Sequence, residues 1–391
     1  WNGMMSFGGG WFFVSASEAI TVLNRDYTLP GLGSYVAEAI AARNLTALGQ
    51  AMITMVVVIL VIDQLFWKPL VAWSNKFKLE LRASADPPES WVFDLIRHST
   101  LPRTIRRRTR IWVARYRRVR EKHRQIHAPQ LPQPIRRRLP KISEELGDKL
   151  FFYSLGALSV VCLYLAFNFV HSEVGWREAG HVLWLGTLTA LRVFALLAIS
   201  TVIWTPIGVA IGLHPKLARF AQPVVLLLAS FPANFLFPIA TIFFLKFRIG
   251  LNVGSMFLML IGAQWYILFN VIAGAMAITT DLREMAANMR LSRITLWKSL
   301  ILPAIFPTWV TGAVTASGGA WNASIISEVV KWGDKTLSAD GIGNYISRFT
   351  QAGDLQRIVL GVGLMCLFVV GANRLVWRLI YAIAHSRYRL A

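Results

Sequence analysis

The stretch VFALLAISTVIWTPIGVAIGL, from Val193 to Leu213, contains no charged side chain and is as long as the roughly 20 residues that a helix needs to cross a bilayer. Four more uncharged runs of similar length lie at Phe151–Val170, Val224–Leu245, Ile249–Ile278 and Leu300–Ser327. Hydrophobic residues make up 55% of the 391 residues and charged residues only 16%, which excludes a soluble globular enzyme. The sequence therefore predicts an all-α fold, that of a polytopic helical membrane protein.

The positive charge is concentrated in one segment, and this segment decides the predicted topology. From Lys76 to Lys141 the sequence carries 19 Lys and Arg against 5 Asp and Glu, which is most of the net charge of +21. A segment this basic is expected on the cytoplasmic side of a membrane. Counting from it, we predict six spans, at about 150–171, 183–213, 221–245, 252–278, 304–329 and 356–378. The basic C-terminus then returns to the cytoplasm.

The two ends of the chain resemble each other. When the sequence is shifted by 310 residues, Trp1–Leu81 aligns with Thr311–Ala391 without a gap, and 14 of 81 positions are identical. The identities are few, but they keep a Gly-Gly step, a Trp, a Ser-Glu pair and a Gly-x-Gly-x-Tyr pattern in constant register. These pairs are Gly8/Gly318, Gly9/Gly319, Trp11/Trp321, Ser17/Ser327, Glu18/Glu328, Gly31/Gly341, Gly33/Gly343 and Tyr35/Tyr345. The pattern favours an internal repeat of whole helices.

The repeat predicts two modules of one kind. We expect residues 1–79 to form the C-terminal part of a first module with two helices, 80–148 a basic cytoplasmic linker, and 149–391 a complete second module with six helices. Because the chain starts inside apolar sequence, we expect the first module to be truncated at its N-terminus. An even number of spans separates the copies, so the copies face the same way. Parallel copies disfavour the inverted repeats found in many secondary carriers.

The segment DLREMAANMRLSRITLWKSLILP, residues 281–303, lies between two predicted spans on the cytoplasmic side. Asp281 and Glu284 have the spacing of a capping box, which predicts a short helix. One face of that helix carries four apolar residues, Leu282, Met285, Ala286 and Met289. Ser292 can cap a second short helix, and Pro303 then opens the next span. Such a helix pair packs either against the protein's own helix ends or against a partner protein.

This segment resembles the conserved cytoplasmic loop of type I ATP-binding-cassette (ABC) importer permeases, the binding-protein-dependent inner-membrane components. The loop pattern of that family is Glu-Ala-Ala, three residues, Gly, nine residues and Ile-x-Leu-Pro. Here Glu284-Met-Ala286 stand at the first three positions, and Leu302-Pro303 close the pattern. Arg290 stands where the Gly belongs, and only Gly adopts a left-handed turn without cost. Either the turn is right-handed in this chain or the loop couples poorly.

Other segments resemble the nitrate, sulfonate and taurine branch of that family. They are Thr189-Ala-Leu-Arg192, Pro206-Ile-Gly208 with Gly212, Ser230-Phe-Pro232, Pro238, Asp281-Leu-Arg283-Glu284, Pro307, Gly312, Glu328 and Gly341-Ile-Gly343. The resemblance covers about residues 185–383 and, through the repeat, residues 1–79. It does not cover the basic linker.

The resemblance implies a transporter subunit and not an enzyme. It implies an intramembrane path for a small solute, such as nitrate, a sulfonate or bicarbonate, fed by an extracytoplasmic solute-binding protein. A separate ABC ATPase subunit would dock on the loop, at Asp281, Arg283, Glu284, Ala286, Met289, Arg290, Leu302 and Pro303. The sequence has no G-x-x-x-x-G-K-[ST] motif, so the phosphate-binding loop would belong to the partner. We expect a multi-pass protein in the bilayer of the bacterial inner membrane, with no cofactor and no nucleic-acid partner.

Four polar or helix-breaking positions are candidates for a pathway or gating role. Glu18 and Glu328 occupy equivalent places near the outer end of a span, where an ionisable group is a candidate functional site. The alternative is a structural carboxylate, paired with Arg192 or with a lysine of a loop. Pro232 and Pro238 can bend helices and leave carbonyl groups free towards a cavity.

The basic linker has interpretations of its own. Arg103–Arg124 alternates arginines with aliphatic and aromatic residues, which favours an amphipathic helix on the inner membrane surface over a nucleic-acid site. His123 and His127 have the spacing of a metal pair but lack a third ligand nearby, and we expect no metal site. Two other functions stay open: a secondary carrier that needs no nucleotide, and a membrane-anchored protein whose linker is the working part.

Overall fold

The structure is a computed structural model, and it describes residues 2–22, 25–74, 90–98 and 144–387. The helices are α1 (Asn2–Ser17), α2 (Leu32–Ala41), α3 (Leu45–Ile62), α4 (Lys68–Ser74), α5 (Trp91–His98), α6 (Glu144–His171), α7 (Trp176–Gly212), α8 (Pro215–Ser230), α9 (Phe237–Phe247), α10 (Leu251–Met276), α11 (Thr280–Asn288), α12 (Arg293–Leu296), α13 (Leu302–Ser327), α14 (Ile342–Ala352), α15 (Leu355–Ala372) and α16 (Arg378–Arg387). Short 3₁₀ and π turns lie at Ala233–Leu236, Asp63–Trp67, Trp297–Ile301 and Asn373–Trp377.

Two antiparallel hairpins accompany the helices at positions that the sequence analysis treated as loops. Strand β1 (Ala19–Val22) pairs with β2 (Arg25–Thr28), and β3 (Val329–Trp332) pairs with β4 (Lys335–Ser338). The fold is helical and polytopic as predicted, with these two hairpins added.

The described chain divides into two units. One unit contains residues up to Leu60 and from Ala166 onwards, and the other contains Val61–Leu165. In the second unit, α4 contacts α5, and the side chains of α6 are almost all exposed. The predicted basic helix at Arg103–Arg124 and the pair His123 and His127 lie outside the described residues.

Six helical stretches are long and apolar enough to span a membrane. They are Leu45–Ser74, Asp148–His171, Trp176–Gly212, Leu251–Met276, Arg293–Ser327 and Leu355–Arg387. The predicted span at 221–245 is not one straight helix, because α8 and the segment Ala233–Phe247 meet at an angle of 78°. The break follows from Phe231 and Pro232, which are extended and leave the helical conformation. This pair is either one bent span or a re-entrant segment.

Helix α10 lies at the centre of the packed helices. It packs against α7, α8 and α13, and most of its side chains are buried. Small residues allow the close approach of these helices: a Cβ on Gly208 would lie 2.8 Å from Val271, and one on Gly312 would lie 2.7 Å from the Tyr266 carbonyl. Close approach through small residues is how helices associate in lipid, where water does not drive them together.

The repeat is visible in the elements themselves. The first copy contains five successive elements, which are β1, β2, α2, α3 and the π turn after α3. They begin, in this order, at Ala19, Arg25, Leu32, Leu45 and Asp63. Their counterparts β3, β4, α14, α15 and the next π turn begin 310 residues later, at Val329, Lys335, Ile342, Leu355 and Asn373. A constant offset over five successive elements is what one supersecondary unit used twice produces.

The first copy is held by the broken segment after α8. Phe235 is fully buried and packs among residues of α2 and α3, including Val36, Leu48 and Met55. Ser15 of α1 and Asn234 exchange hydrogen bonds of 3.0 and 3.3 Å. The bend at Pro232 therefore places the next turn against the first copy.

The two hairpin–helix units also contact each other reciprocally. Helix α14 contacts β1, and α2 contacts β3. The Arg43 guanidinium forms an ion pair with Asp334, and the Gly333 amide donates to the Ile40 carbonyl over 3.2 Å. Reciprocal contacts of like elements are expected for parallel copies related by an axis along the membrane normal.

Candidate functional site

The predicted cytoplasmic loop folds as the short helices α11 and α12, joined by a tight turn. Ala286 is buried, and Leu282 packs against the core of the second module. The Arg283 guanidinium donates to the Leu213 carbonyl at the end of α7, over 3.1 Å. One face of α11 is thus fixed to the membrane helices.

Beside these fixed residues, the rest of the apolar face of α11 is open. Met285 is 51% exposed and Met289 is 63% exposed, while Ile294 on α12 is 69% exposed. Glu284 and Asp281 are exposed beside them. Flexible methionine side chains on an exposed surface are typical of protein docking sites.

The turn after α11 is left-handed. Arg290 has a φ of 48°, its amide donates to the Ala287 carbonyl, and the Leu291 amide donates to the Ala286 carbonyl. This pair of bonds is the Schellman arrangement, in which the left-handed position is usually Gly. Of the two alternatives, the right-handed turn is therefore excluded, and the chain keeps the left-handed turn with a strained Arg.

Two details of the loop differ from the prediction. Thr279 precedes α11, which begins at Thr280, so Asp281 lies inside the first turn and does not act as the capping side chain. Ser292 does cap α12, by accepting from the Thr295 amide at 3.2 Å. Pro303 does not open a separate helix, because α12, a π turn and α13 are continuous from Arg293. The wider π turn before Pro303 accommodates the missing proline amide.

The Ser-Glu and Gly-x-Gly patterns of the repeat meet in both copies. The Glu328 carboxylate accepts from the amides of Gly343 and Asn344, at 2.8 and 3.1 Å, and so caps the N-terminus of α14. The Glu18 carboxylate accepts from the Gly33 amide at the start of α2 in the same way. Negative charge at a helix N-terminus satisfies free amides and is favoured by the helix dipole.

The glycines of this motif supply space. Gly31 and Gly341 have extended backbones, which any residue adopts. A Cβ on either would run into the carboxylate of Glu18 or Glu328, and one on Gly33 or Gly343 would run into the preceding helix. Only a residue without a side chain lets the carboxylate reach the amides.

Glu328 has partners that are not found for Glu18 among the described residues. Thr189 donates to it at 2.7 Å, and Arg192 pairs with it at 2.9 Å. Arg192 also donates to the Asn252 carbonyl, so the cluster joins α7, α10 and α14. The structural alternative, a carboxylate paired with Arg192, is the arrangement that the structure shows.

The predicted pathway residues do not form one cluster. Glu18 and Glu328 each serve their own copy as a cap. Pro232 makes the break before the 3₁₀ turn, and Pro238 lies in the first turn of α9, where a proline is tolerated. A pathway role for these four residues stays a prediction.

A different surface has the character of a solute path. The open face of α13 carries Thr315, Gly318 and Asn322 at helical spacing, all exposed. A Cβ added to Gly319 of the same helix would lie 3.7 Å from the Tyr266 ring. A Cβ added to the equivalent Gly9 of α1 would lie 2.8 Å from the Tyr266 hydroxyl. The two copies thus approach one tyrosine with equivalent glycines, beside a polar helix face.

Residues 204–390, which contain the loop, the repeat and α13, match the family of binding-protein-dependent transport system inner membrane components. The matched residues are slightly less than half of the chain. The match agrees with the resemblance that the loop pattern indicated, and it describes a transporter permease and not an enzyme.

Relatives in this permease family have been named for their solutes. The chain is 28% identical over 179 residues to the bicarbonate transport system permease protein CmpB of Synechococcus elongatus, covering 46% of this chain and 61% of the relative. It is 27% identical over 173 residues to the nitrate import permease protein NrtB of the same species, covering 44% and 58%. The chain therefore spans about three fifths of the length of these curated relatives.

Among solved structures, the chain is similar to one described as inward facing conformations of the MetNI methionine ABC transporter. The two share 19% identity with a TM-score of 0.43, over 54% of this chain and 99% of the other.

One polar cluster of the permease was missed by the sequence analysis. The Arg357 guanidinium forms ion pairs with Glu178, at 2.7 Å, and with Asp354, which directly precedes α15. The Tyr345 hydroxyl donates to the Glu178 carboxylate at 2.9 Å. Burial and the contact with Glu178 raise the pKa of Tyr345. Tyr345 belongs to the repeated Gly-x-Gly-x-Tyr pattern, but its partner comes from α7. Sequence spacing gives no signal for such a pairing.

Proposed function

We propose that the protein is the membrane-spanning permease subunit of an ABC importer in a bacterial inner membrane. The loop geometry carries this proposal. Its short helices are fixed by Arg283 and Ala286 on one side and leave Met285 and Met289 open on the other. A surface that is rigidly attached to two membrane helices and exposes apolar groups can transmit the movement of a docked partner to those helices.

The proposed partner is a separate ABC ATPase subunit. Docking should place the ATPase on Met285, Met289 and Ile294, with Asp281 and Glu284 at the rim. Apolar anchors at the centre and charges at the rim are the usual anatomy of a stable interface. The left-handed turn at Arg290 supports a competent loop, since Arg290 adopts the conformation that Gly usually takes at this position.

The test is co-purification of the ATPase subunit with the full chain carrying Met285→Asp and Met289→Asp. We expect affinity for the ATPase to fall roughly thirtyfold, because each change puts a charge into an apolar contact. Both side chains are exposed, so folding should be unaffected, and thermal unfolding of the purified protein checks this.

Ile383→Asp is the matched control. Ile383 is apolar and 38% exposed on α16, away from the loop, and its substitution should leave ATPase binding unchanged. Equal loss in both variants would mean that the loop is not the docking surface. Solute uptake by the purified chain without any ATPase would favour a secondary carrier.

The two copies should line one path at their interface, along the open face of α13. We propose Gly318 and Asn322 as its walls and Tyr266 as a constriction. A polar, exposed face on a membrane helix suits water or solute better than lipid. The division into a partial first module, a linker and a second module belongs to this proposal, and the constant offset of the repeated elements supports it.

Thiol labelling tests the path. In a chain with Cys162→Ser and Cys366→Ser, a charged thiol reagent should modify Asn322→Cys. The control is Val202→Cys, which is 74% exposed but lies on an apolar face of α7. Labelling of Val202→Cys at the same rate would show that exposure alone, and not an aqueous path, explains reactivity.

The solute is proposed to be a small inorganic anion delivered by an extracytoplasmic binding protein. The relatives named for bicarbonate and nitrate support this class. Uptake of labelled nitrate and bicarbonate by proteoliposomes that hold the complete complex would test it. Uptake of neither ion, with ATP hydrolysis intact, would exclude the anion class and leave the permease role standing.

A further inference from the structure

A groove runs between α13 and the helix formed by α15 and α16. It encloses a cavity of about 630 Å³. Val314, Trp377 and Tyr381 form apolar or aromatic walls, and Arg374, Arg378 and His385 lie along its length on one helix. The Tyr381 and His385 rings contact each other, with centroids 4.6 Å apart.

The charge of the groove has one sign. No acidic side chain lines it, and Arg374 and Arg378 are both exposed. Among residues 2–22, 25–74, 90–98 and 144–387, no ion pair of either guanidinium is found. Two guanidinium groups side by side favour an anionic group such as a phosphate, which each can bind with two hydrogen bonds.

On the topology predicted from the basic segment, the groove falls at the level of the inner headgroups. The helix from Leu355 to Arg387 has 33 residues, about 50 Å at 1.5 Å per residue, while the hydrocarbon core is about 30 Å thick. Counted from the outer end, Arg374 falls near the inner edge of the core, and Arg378 and His385 lie beyond it. Trp377 and Tyr381 occupy the zone where aromatic residues anchor helices.

The walls decide between a free ion and a lipid. A small hydrated anion gains nothing from contact with Val314, Trp377 and Tyr381. An amphiphile with an anionic head and apolar chains satisfies both the walls and the arginines. We propose that this groove binds an anionic phospholipid of the inner leaflet, its headgroup on Arg374 and Arg378 and its upper acyl chains along Trp377 and Tyr381.

The repeat provides an internal comparison. At the positions of Asn373, Arg374, Arg378 and Tyr381, the sequence of the first copy carries Asp63, Gln64, Lys68 and Val71. The first copy therefore has an acidic residue, one basic residue fewer and no tyrosine. The lipid site belongs to the second copy alone.

The experiment is native mass spectrometry of the full chain in detergent, titrated with phosphatidylglycerol or phosphatidylcholine. The wild type should retain phosphatidylglycerol preferentially. Arg374→Gln combined with Arg378→Gln should reduce its retention about thirtyfold, because each basic residue contributes roughly a fivefold step near an anionic headgroup. Adding Tyr381→Val introduces the residue that the first copy carries at this position, and it should weaken the retention of phosphatidylglycerol further.

Arg387→Gln is the matched control, since Arg387 lies on the same helix but does not line the groove. It should retain phosphatidylglycerol like the wild type, and the thermal unfolding of all variants should agree. Equal retention of phosphatidylcholine would overturn the proposal. Undiminished retention by the double variant would overturn it as well. Displacement of the lipid by millimolar inorganic phosphate would also overturn it and would indicate a free-anion site. The measurement uses neither ATP nor solute, so it stands whether or not the permease role holds.

Discussion

The two copies of the repeat share a backbone but differ in what surrounds it. In both, a glutamate after the long helix caps the next helix through Gly-x-Gly amides, and an Asx side chain caps the following helix. Asn44 accepts from the Ala47 amide at 3.0 Å, and Asp354 accepts from the Arg357 amide at 3.1 Å. Local hydrogen bonds of this kind depend only on the repeated sequence.

The surroundings differ because other elements supply them. Glu328 is joined to Thr189 and Arg192 of α7, and no such side-chain partner of Glu18 is found in the described part of the chain. At the end of the next helix, the left-handed residue is Arg43 in one copy and Gly353 in the other. The comparison teaches that the repeat fixes the caps, while packing decides how strongly each cap is held.

The largest difference between copies should appear on neutralising the capping glutamates. We expect Glu328→Gln to lower the free energy of unfolding by about 3 kcal/mol, because it leaves Arg192 buried without its charge partner. Glu18→Gln should cost only about 1 kcal/mol, the value of weakened hydrogen bonds. Equilibrium unfolding in mixed detergent micelles measures both.

A double-mutant cycle with Arg192→Met sharpens this prediction. If the cost of Glu328→Gln stays the same in that background, Arg192 is not its partner in energetic terms. Equal costs for Glu18→Gln and Glu328→Gln would break the comparison and require an equivalent partner for Glu18.

Glycine substitutions should show the opposite, a similarity between copies. Gly33→Ala and Gly343→Ala should each cost about 2 kcal/mol, because the new Cβ meets the backbone of the preceding helix in both. Gly318→Ala is the control: nothing lies within 4 Å of its Cβ position, so the change should be neutral or slightly stabilising. The shift in apparent Tm of the detergent-solubilised protein reads out all three. A cost in one copy only would show that the capping geometry is not shared.

The smallest effects are expected at the left-handed arginines. Arg290→Gly should raise the free energy of unfolding by up to about 1 kcal/mol, by removing the Cβ strain. Arg43→Gly should raise the free energy of unfolding by less, because this variant also loses the ion pair with Asp334. The same unfolding assay applies, and the ATPase affinity of Arg290→Gly should match the wild type. A destabilised Arg290→Gly variant would mean that the arginine side chain makes a contact worth more than the strain.

Much of the fold could be predicted because it depends on local sequence. The apolar runs predicted the long helices, and the constant offset predicted which elements recur. The loop pattern predicted two short helices, including the Ser292 cap. At 221–245 the sequence predicted a span but not its 78° bend, and it gave no sign that Phe235 is buried among residues of α2 and α3.

The candidate site was less accessible to sequence reasoning. Of the predicted loop residues, Ala286 and Arg283 face the protein, and Met285 and Met289 face out, a division that follows from where α7 ends. Asp281 had the spacing of a cap, but the helix began one residue earlier. The partners of Tyr345 and Glu328 lie on α7, more than 130 residues away in sequence.

The sequence by itself determined that this chain crosses a membrane, that its ends repeat, and that one cytoplasmic loop carries the permease pattern. These properties depend on hydrophobicity, spacing and glycine positions, which act over a few turns. Only the tertiary structure decided that Glu328 is buried with Arg192, that Arg290 keeps the left-handed turn, and that arginines of α16 and its π turn share a groove with α13. Those outcomes depend on which helices approach each other, and the free energy of a buried charge or a strained turn is set by that approach.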